Sequence, residues 1–178
     1  MMKNNLLLFC ILPVLGLMLS CVYNFVGGSP INLPQEKSDL YISLVQDPTQ
    51  EAWLEPYLRS TFQDEFSRRG GVNWVSEDQA QALVHIFIHQ FRTADSLTRE
   101  RDRTVKADVT IILEVKMLSA ETGEEIWSSG NVSGRSSYFL TAEDASMSGV
   151  QGPEQRGASE EAVDQAVTRI ADGLGHGF

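Results

Sequence analysis

This sequence predicts a two-layer α+β sandwich, with a mainly antiparallel sheet of about four strands packed against two helices. Three patterns carry that expectation. Val105, Ala107, Val109, Ile111, Leu113, Val115 and Met117 are consecutive alternate positions and all apolar, while the residues between them are mostly polar. That period of two marks a strand buried on one face and wet on the other. Residues 53–66 and 158–174 instead repeat their apolar side chains at three- and four-residue spacings, which marks two amphipathic helices. Placed in the order strand, helix, strands, helix, such elements bury their apolar faces as two layers.

The first twenty residues lie outside this sandwich. Lys3 precedes an uncharged run from Leu6 to Leu19, which ends in Ser20 and Cys21. A basic start, an apolar run and a small-residue cleavage site make a secretory signal. The run is short for the roughly 20 residues of a membrane span, and it contains Pro13. Leu15-Gly16-Leu17-Met18-Leu19-Ser20-Cys21 resembles a bacterial lipobox, with Met18 where leucine is commoner. In such signals the cysteine is lipidated and becomes the first residue of the mature chain. An ordinary cleavable signal and an uncleaved anchor are the alternatives. Val22 follows where an aspartate would favour retention in the inner membrane, so the resemblance implies the outer membrane, lipid-anchored on its periplasmic side. Several acyl chains hold a protein at a membrane stably, whereas one is marginal. The expected organisation is a signal peptide at 1–20, a lipidated tether at 21–38 and one α+β domain at 39–178.

Composition narrows the function. The chain is 42% hydrophobic and 21% charged, which suits a globular core, and its formal net charge is −10. Such acidity opposes general attraction to nucleic acid or anionic membranes. Of the two cysteines, Cys10 lies in the signal and Cys21 would carry lipid. The mature domain then has neither disulfide nor cysteine metal site, and must hold by its core.

Each element follows in turn. Residues 22–38 are rich in glycine and proline and read as an extended leader. Leu40 to Val45 alternates as a strand, with Leu40, Ile42 and Leu44 on one face. Asp47-Pro48 is a helix-start signal, and Trp53, Leu54, Tyr57, Leu58, Phe62 and Phe66 form the apolar face of the helix. Pro56 fits only a first turn, which favours a later start. Arg68-Arg69-Gly70-Gly71 ends the helix with cations on its negative pole and a glycine cap. Val72 to Val75 reads as a short strand or the approach to one. Ala82 to Phe91 is a strand, with Ala82, Val84, Ile86 and Ile88 on one face and Leu83, His85, Phe87, His89 and Phe91 on the other. Thr93 to Thr104 is a polar turn region. Glu121-Thr122-Gly123-Glu124 then turns a hairpin from the 105–118 strand into a partner spanning Ile126 to Tyr138. Residues 141–153 form a loop. Pro153 and Glu154 open the last helix, striped by Ala158, Ala162, Val163, Ala166, Val167, Ile170 and Leu174.

Catalytic patterns are scarce. His85 and His89 would share a face on a helix, but on a strand they stand about 13 Å apart, too far for one ion. No phosphate-cradling glycine loop, nucleophile elbow or cysteine nucleophile occurs, so neither an enzyme nor a metal or cofactor protein is expected. The remaining feature is a basic group in an acidic protein: Arg92, Arg99, Arg101, Arg103, Lys106 and Arg135. Arginines suit phosphates through paired hydrogen bonds. Glu100 and Asp102 are interleaved among them, so a solvated hairpin tip is the competing reading.

These residues, in order, resemble the LptE family of lipopolysaccharide-assembly lipoproteins. Cys21, Tyr23, Phe25 and Leu33-Pro34 resemble its leader after the lipidated cysteine. The strand from Leu40, the Leu54-Glu55-Pro56-Tyr57-Leu58 helix entry, Glu65-Phe66 and Arg69-Gly70 are also similar, as is Thr122-Gly123-Glu124 followed by Trp127. The resemblance implies an outer-membrane protein that plugs the LptD β-barrel, helps it assemble and assists lipopolysaccharide transport to the outer leaflet. It also implies that basic residues near a strand tip contact lipopolysaccharide, a position that Arg99, Arg101, Arg103 and Lys106 occupy here. The loop after Phe139 holds no lysine, where a second basic contact would be expected. The alternative is another outer-membrane accessory lipoprotein, a cell-wall synthase activator or an export-channel subunit.

Overall fold

A computed structural model describes residues 31–98, 105–140 and 152–175. Its elements are β1 (Asp39–Gln46), α1 (Leu54–Arg69), β2 (Asn73–Trp74), β3 (Ala82–Thr98), β4 (Val105–Ser119), β5 (Glu125–Ser128), β6 (Val132–Leu140) and α2 (Pro153–Gly175), with 3-10 turns at Pro34–Glu36 and Glu77–Gln79. The class is the expected α+β. The sheet, however, has six strands in the order β2-β1-β3-β4-β5, with β6 also paired to β4. It is mixed: β1 runs parallel to both β2 and β3, and the other pairs are antiparallel. The parallel pair has a simple cause. Helix α1 carries the chain back along β1, so β3 enters the sheet in the direction β1 did, as a helical crossover requires.

Asp47-Pro48 does not begin α1. The Asp47 carboxylate accepts from Thr49 N at 2.8 Å, and Thr49 Oγ1 accepts from Glu51 N at 3.3 Å, closing two small turns. The helix starts at Leu54, which leaves Pro56 in the first turn, where its missing N–H costs nothing. Its end is as expected: Gly70, at φ 79°, donates its N–H to the carbonyls of Phe66 and Ser67.

Two β-bulges re-aim side chains, and each overturns an expectation drawn from strict alternation. The pairing of β1 with β3 skips Ser43, so Leu44 stands opposite His85 and Val45 opposite Ile86. Leu44 is therefore on the open face, 39% exposed, and Val45 packs on the core instead. In β3 the pairing with β4 skips His89. Phe91 moves to the helix-covered face, where its ring meets Trp53 edge-on at 6.1 Å. An extra residue inverts the alternation beyond it. The pairing of β3 with β4 continues to Thr98 and Val105, so residues 93–98 are strand and not turn.

The 105–119 strand is as alternation requires: Ala107, Val109, Ile111, Leu113, Val115 and Met117 are all fully buried. The hairpin turn follows, with Gly123 at φ 72° and its N–H on the Ser119 carbonyl at 2.8 Å. Its partner is not one strand over Ile126 to Tyr138. It breaks at Ser129-Gly130, where Gly130 takes φ 59°. There Val115 N donates to Ser129 Oγ at 2.9 Å and Ser129 N donates to the Val115 carbonyl at 2.9 Å, so one side chain replaces a ladder bond.

One layer of core lies between the sheet and the two helices. Leu58, Phe62 and Phe66 of α1 and Ala162, Ala166 and Ile170 of α2 are buried there with Leu40, Ile86 and Ile111 of the sheet. Ile31 is also buried, and a Cβ at Gly71 would come within 2.7 Å of its carbonyl oxygen. The chain thus enters the domain at the end of the sheet opposite the β3–β4 tip.

Candidate interaction surface

Among the described residues the helices cover one face of the sheet, and the other is built in cross-strand rows that the registers define. At the base Leu83 stands between Tyr41 and Leu118. The next row joins Leu44, His85, Lys116 and Ser128, and the one after it Gln46, Phe87 and Glu114. Towards the tip come Gln90, Ile112 and Ser133, then Arg92, Thr110 and Arg135, and last Lys106 beside Phe139. The face is thus graded from apolar at the base, through paired polar groups, to basic and aromatic at the tip.

The middle is electrostatically self-contained. His89 Nε2 lies 2.9 Å from Glu114 Oε2, and Lys116 Nζ lies 3.6 Å from Glu114 and 3.1 Å from Glu125. The His89 hydrogen bond, with Lys116 nearby and the Ser128 hydroxyl, holds the Glu114 carboxyl below its usual range. Burial lowers the imidazole of His85. Its ring flanks Phe87, which stacks on His89 with centroids 6.5 Å apart. Among the described residues no group of three His, Cys, Asp or Glu could hold a metal ion.

The tip differs. Thr110 is only 8% exposed, and Arg92 and Arg135 are its cross-strand neighbours on either side. Lys106 lies 3.9 Å from Asp108. Phe139 is 61% exposed, the largest exposed apolar side chain among the described residues. Two guanidinium groups across a hydroxyl, with an ammonium and a ring beyond, can take an anionic amphiphile, its phosphates on the cations and its apolar part on the ring. Of the expected site, the structure places Lys106 on this face, two cross-strand rows beyond Arg92 and Arg135. Arg99, Arg101 and Arg103, like Cys21, lie outside the described residues. The register that puts Phe139 beside Lys106 is a tertiary fact, which no pattern along one strand encodes.

The helical side carries a second, acidic groove between α1 and α2, lined by Tyr57, Asp64, Glu65, Arg68, Asp164 and Thr168. Tyr57 donates its hydroxyl to Asp164 Oδ1 at 3.0 Å. Burial, then the Asp164 carboxylate, pushes the phenol up to about 12. Burial also raises Asp164, helped by Glu160 and Glu161. A phenol whose folded pKa exceeds its ordinary 10 stabilises below pH 10 and loses that contribution as pH rises through its folded value. Tyrosinate absorbance should therefore include one group titrating near pH 12 that Tyr57→Phe removes, with stability falling between pH 10 and 12 in the parent only.

At the tip end α2 is pinned by Arg156, whose guanidinium lies over the Trp53 ring at 3.7 Å and bonds Glu160 at 2.6 Å. Gln155 also reaches Thr93 of β3 at 3.4 Å.

Comparison with known proteins places this architecture. The model of a family described as LptE, lipopolysaccharide-assembly, matches residues 38–174. No curated protein gives a significant match. Among solved structures, the chain is similar to a homolog of the neuraminyllactose-binding hemagglutinin from Helicobacter pylori, at 11% identity and a TM-score of 0.53, over 85% of this chain and 89% of that one. It is also similar to uncharacterized lipoprotein B from Nitrosomonas europaea (16% identity, TM-score 0.49, 85% of this chain and 86% of that one). A minor lipoprotein from Acinetobacter baumannii gives 13% identity and a TM-score of 0.45, over 79% and 92%. At 11% identity the likeness to the Helicobacter pylori structure is one of fold alone.

Proposed function

The chain belongs to the LptE lipopolysaccharide-assembly family, and from that membership we propose that it is an outer-membrane lipoprotein that plugs and helps assemble the LptD β-barrel and assists lipopolysaccharide transport to the outer leaflet. Cys21 carries the lipid anchor, and the domain hangs from it by the tether. The protein binds and positions, and it needs no cofactor. Among the described residues no helix is long and apolar enough to cross a membrane, so in this reading the lipid and the barrel hold the domain in place.

The observation that carries the lipopolysaccharide role is the basic and aromatic tip of the open face. Arg92, Arg135 and Lys106 share it with Phe139, and in the sequence Arg99, Arg101 and Arg103 fall between β3 and β4, two of the three strands that build it. Charge-assisted bonds to phosphate contribute about 1.5–3 kcal/mol each. Charge reversal of Arg99, Arg101 and Arg103 together should weaken lipopolysaccharide capture in a pull-down by roughly tenfold or more. Unchanged capture would return those arginines to a solvated hairpin tip.

The partner is tested separately. The lipoprotein isolated from native outer membranes should bring a large β-barrel with it. Isolation without one, at intact fold, would favour another accessory lipoprotein. Cys21→Ser should release the protein from membranes of cells that lack the barrel, and retention there would sink the anchor.

A further inference from the structure

A sheet that is not closed into a barrel has two edges, and each open edge presents unpaired backbone groups to any strand that comes near. Here two edge stretches, β1 beyond the end of β2 and β6, are each met by side chains from the helix layer. On the β1 edge, the Ser38 and Leu40 carbonyls accept from Asn73 N at 2.8 Å and Val75 N at 3.1 Å. The β2 segment ends there, and the next carbonyl on that side belongs to Ile42. Arg59 Nη1, from α1, donates to it at 2.9 Å. The guanidinium takes the place that the next backbone N–H of a longer β2 would fill.

The opposite edge is shared by β5 and β6, which among the described strands each pair only with β4, and β6 is the longer stretch. Arg169 Nη1, from α2, donates to the Ser133 carbonyl. The Arg135 N–H donates to Gln165 Oε1 at 3.5 Å, a long bond. Residues two apart in a strand turn their backbone groups to the same side, so both contacts lie on the side of β6 away from β4. Together they occupy a carbonyl and an N–H, the acceptor and donor that an added strand would use.

We propose that Arg169 and Gln165 are an edge lock: they hold β6 closed against pairing with the β6 of a second copy of this chain. The occupant follows from the backbone itself. An edge apposed to its own copy about a two-fold axis is antiparallel, and each chain then offers the donors and acceptors the other lacks. Arg59 does the same on the β1 edge, so both locks are made by arginines whose other ends belong to the covering helices. The lock keeps the sheet from extending between copies while the open face remains available to a ligand or partner.

The test uses the full lipoprotein carrying Arg169→Met and Gln165→Met, purified alone in detergent. Methionine keeps the packed stems and removes both bonds. Light scattering across a concentration series should show dimers that form at least tenfold more readily than in the parent. Adding Arg135→Pro, which removes the N–H from the edge, should restore the monomer. A double variant that unfolds as cooperatively as the parent yet stays monomeric would overturn the lock, as would a dimer that Arg135→Pro leaves intact. If the double variant does not fold, Gln165→Met alone opens the Arg135 N–H. Self-association of that variant supports the proposal, and a monomer at the same concentrations overturns it.

Discussion

Gly134→Ala is expected to destabilise the protein by about 3 kcal/mol or more, the upper end of what overpacking costs, and Gly134→Val to prevent folding. A Cβ at this position would lie 1.8 Å from the Ala162 carbonyl oxygen, 2.9 Å from its carbon and 3.0 Å from Ala166 N. All three are backbone atoms of α2, so no side-chain rotation relieves the clash. The helix would have to lift from β6, opening the seam that Ala158, Ala162 and Ala166 close. Their small side chains already bring this helix as near to the sheet as it can lie. Chemical denaturation measures the effect, and an alanine variant within about 0.5 kcal/mol of the parent would mean that α2 shifts at little cost. Because Arg135 is the next residue, such a shift should also weaken lipopolysaccharide capture.

The second large effect is expected at Glu65. Arg69 is buried, its side chain 1% exposed, and its guanidinium is held by Glu65 at 2.7 Å, by Asp172 at 2.7 Å and by the Thr168 carbonyl at 3.1 Å. This network joins the end of α1 to α2. One nitrogen, Nη1, has no partner among the described residues, so the charge has no acceptor in reserve. Removing a partner from a buried pair typically costs about 3–5 kcal/mol, because the remaining charge stays buried. Asp172 still faces Arg69, so Glu65→Ala should cost about 3 kcal/mol, at the lower end of that range. Adding Arg69→Met should recover part of the loss, since the buried cation goes with it. A double-mutant cycle reads that coupling, and additive costs would contradict it.

The same carboxylate sets an acid limit. Burial alone would raise Glu65, but hydrogen bonds from Arg68 and Arg69 outweigh it and hold the group below its ordinary 4.5. A depressed carboxyl stabilises the fold above its unfolded pKa and loses that contribution as pH falls through the folded value. Stability should therefore decline below about pH 4.5 in the parent and less steeply in Glu65→Ala, as denaturation midpoints across acid pH would show.

How much of this was legible can be seen residue by residue. Arg68-Arg69-Gly70 read correctly as a helix end, since charge and backbone geometry there are local. That Arg69 also crosses to Asp172 of α2 was invisible, because the two residues meet only when the helices pack. Leu44 and Phe91 were assigned to the wrong faces, since alternation presumes no extra residue, and the bulges at Ser43 and His89 are settled by pairing with a neighbouring strand. The basic group was visible as composition, whereas the row Arg92, Thr110 and Arg135 exists only through the registers of β6 and β3 on β4.

By itself the sequence determined the α+β class, the two helix faces, the long 105–119 strand and the family, because period, capping and motif order act over a few neighbouring residues. Tertiary structure alone decided that the sheet is mixed, which strand neighbours which, where the bulges invert its faces, and which backbone groups α2 closes at Ser133 and Arg135. These depend on contacts between residues far apart in the chain, whose geometry no local pattern encodes.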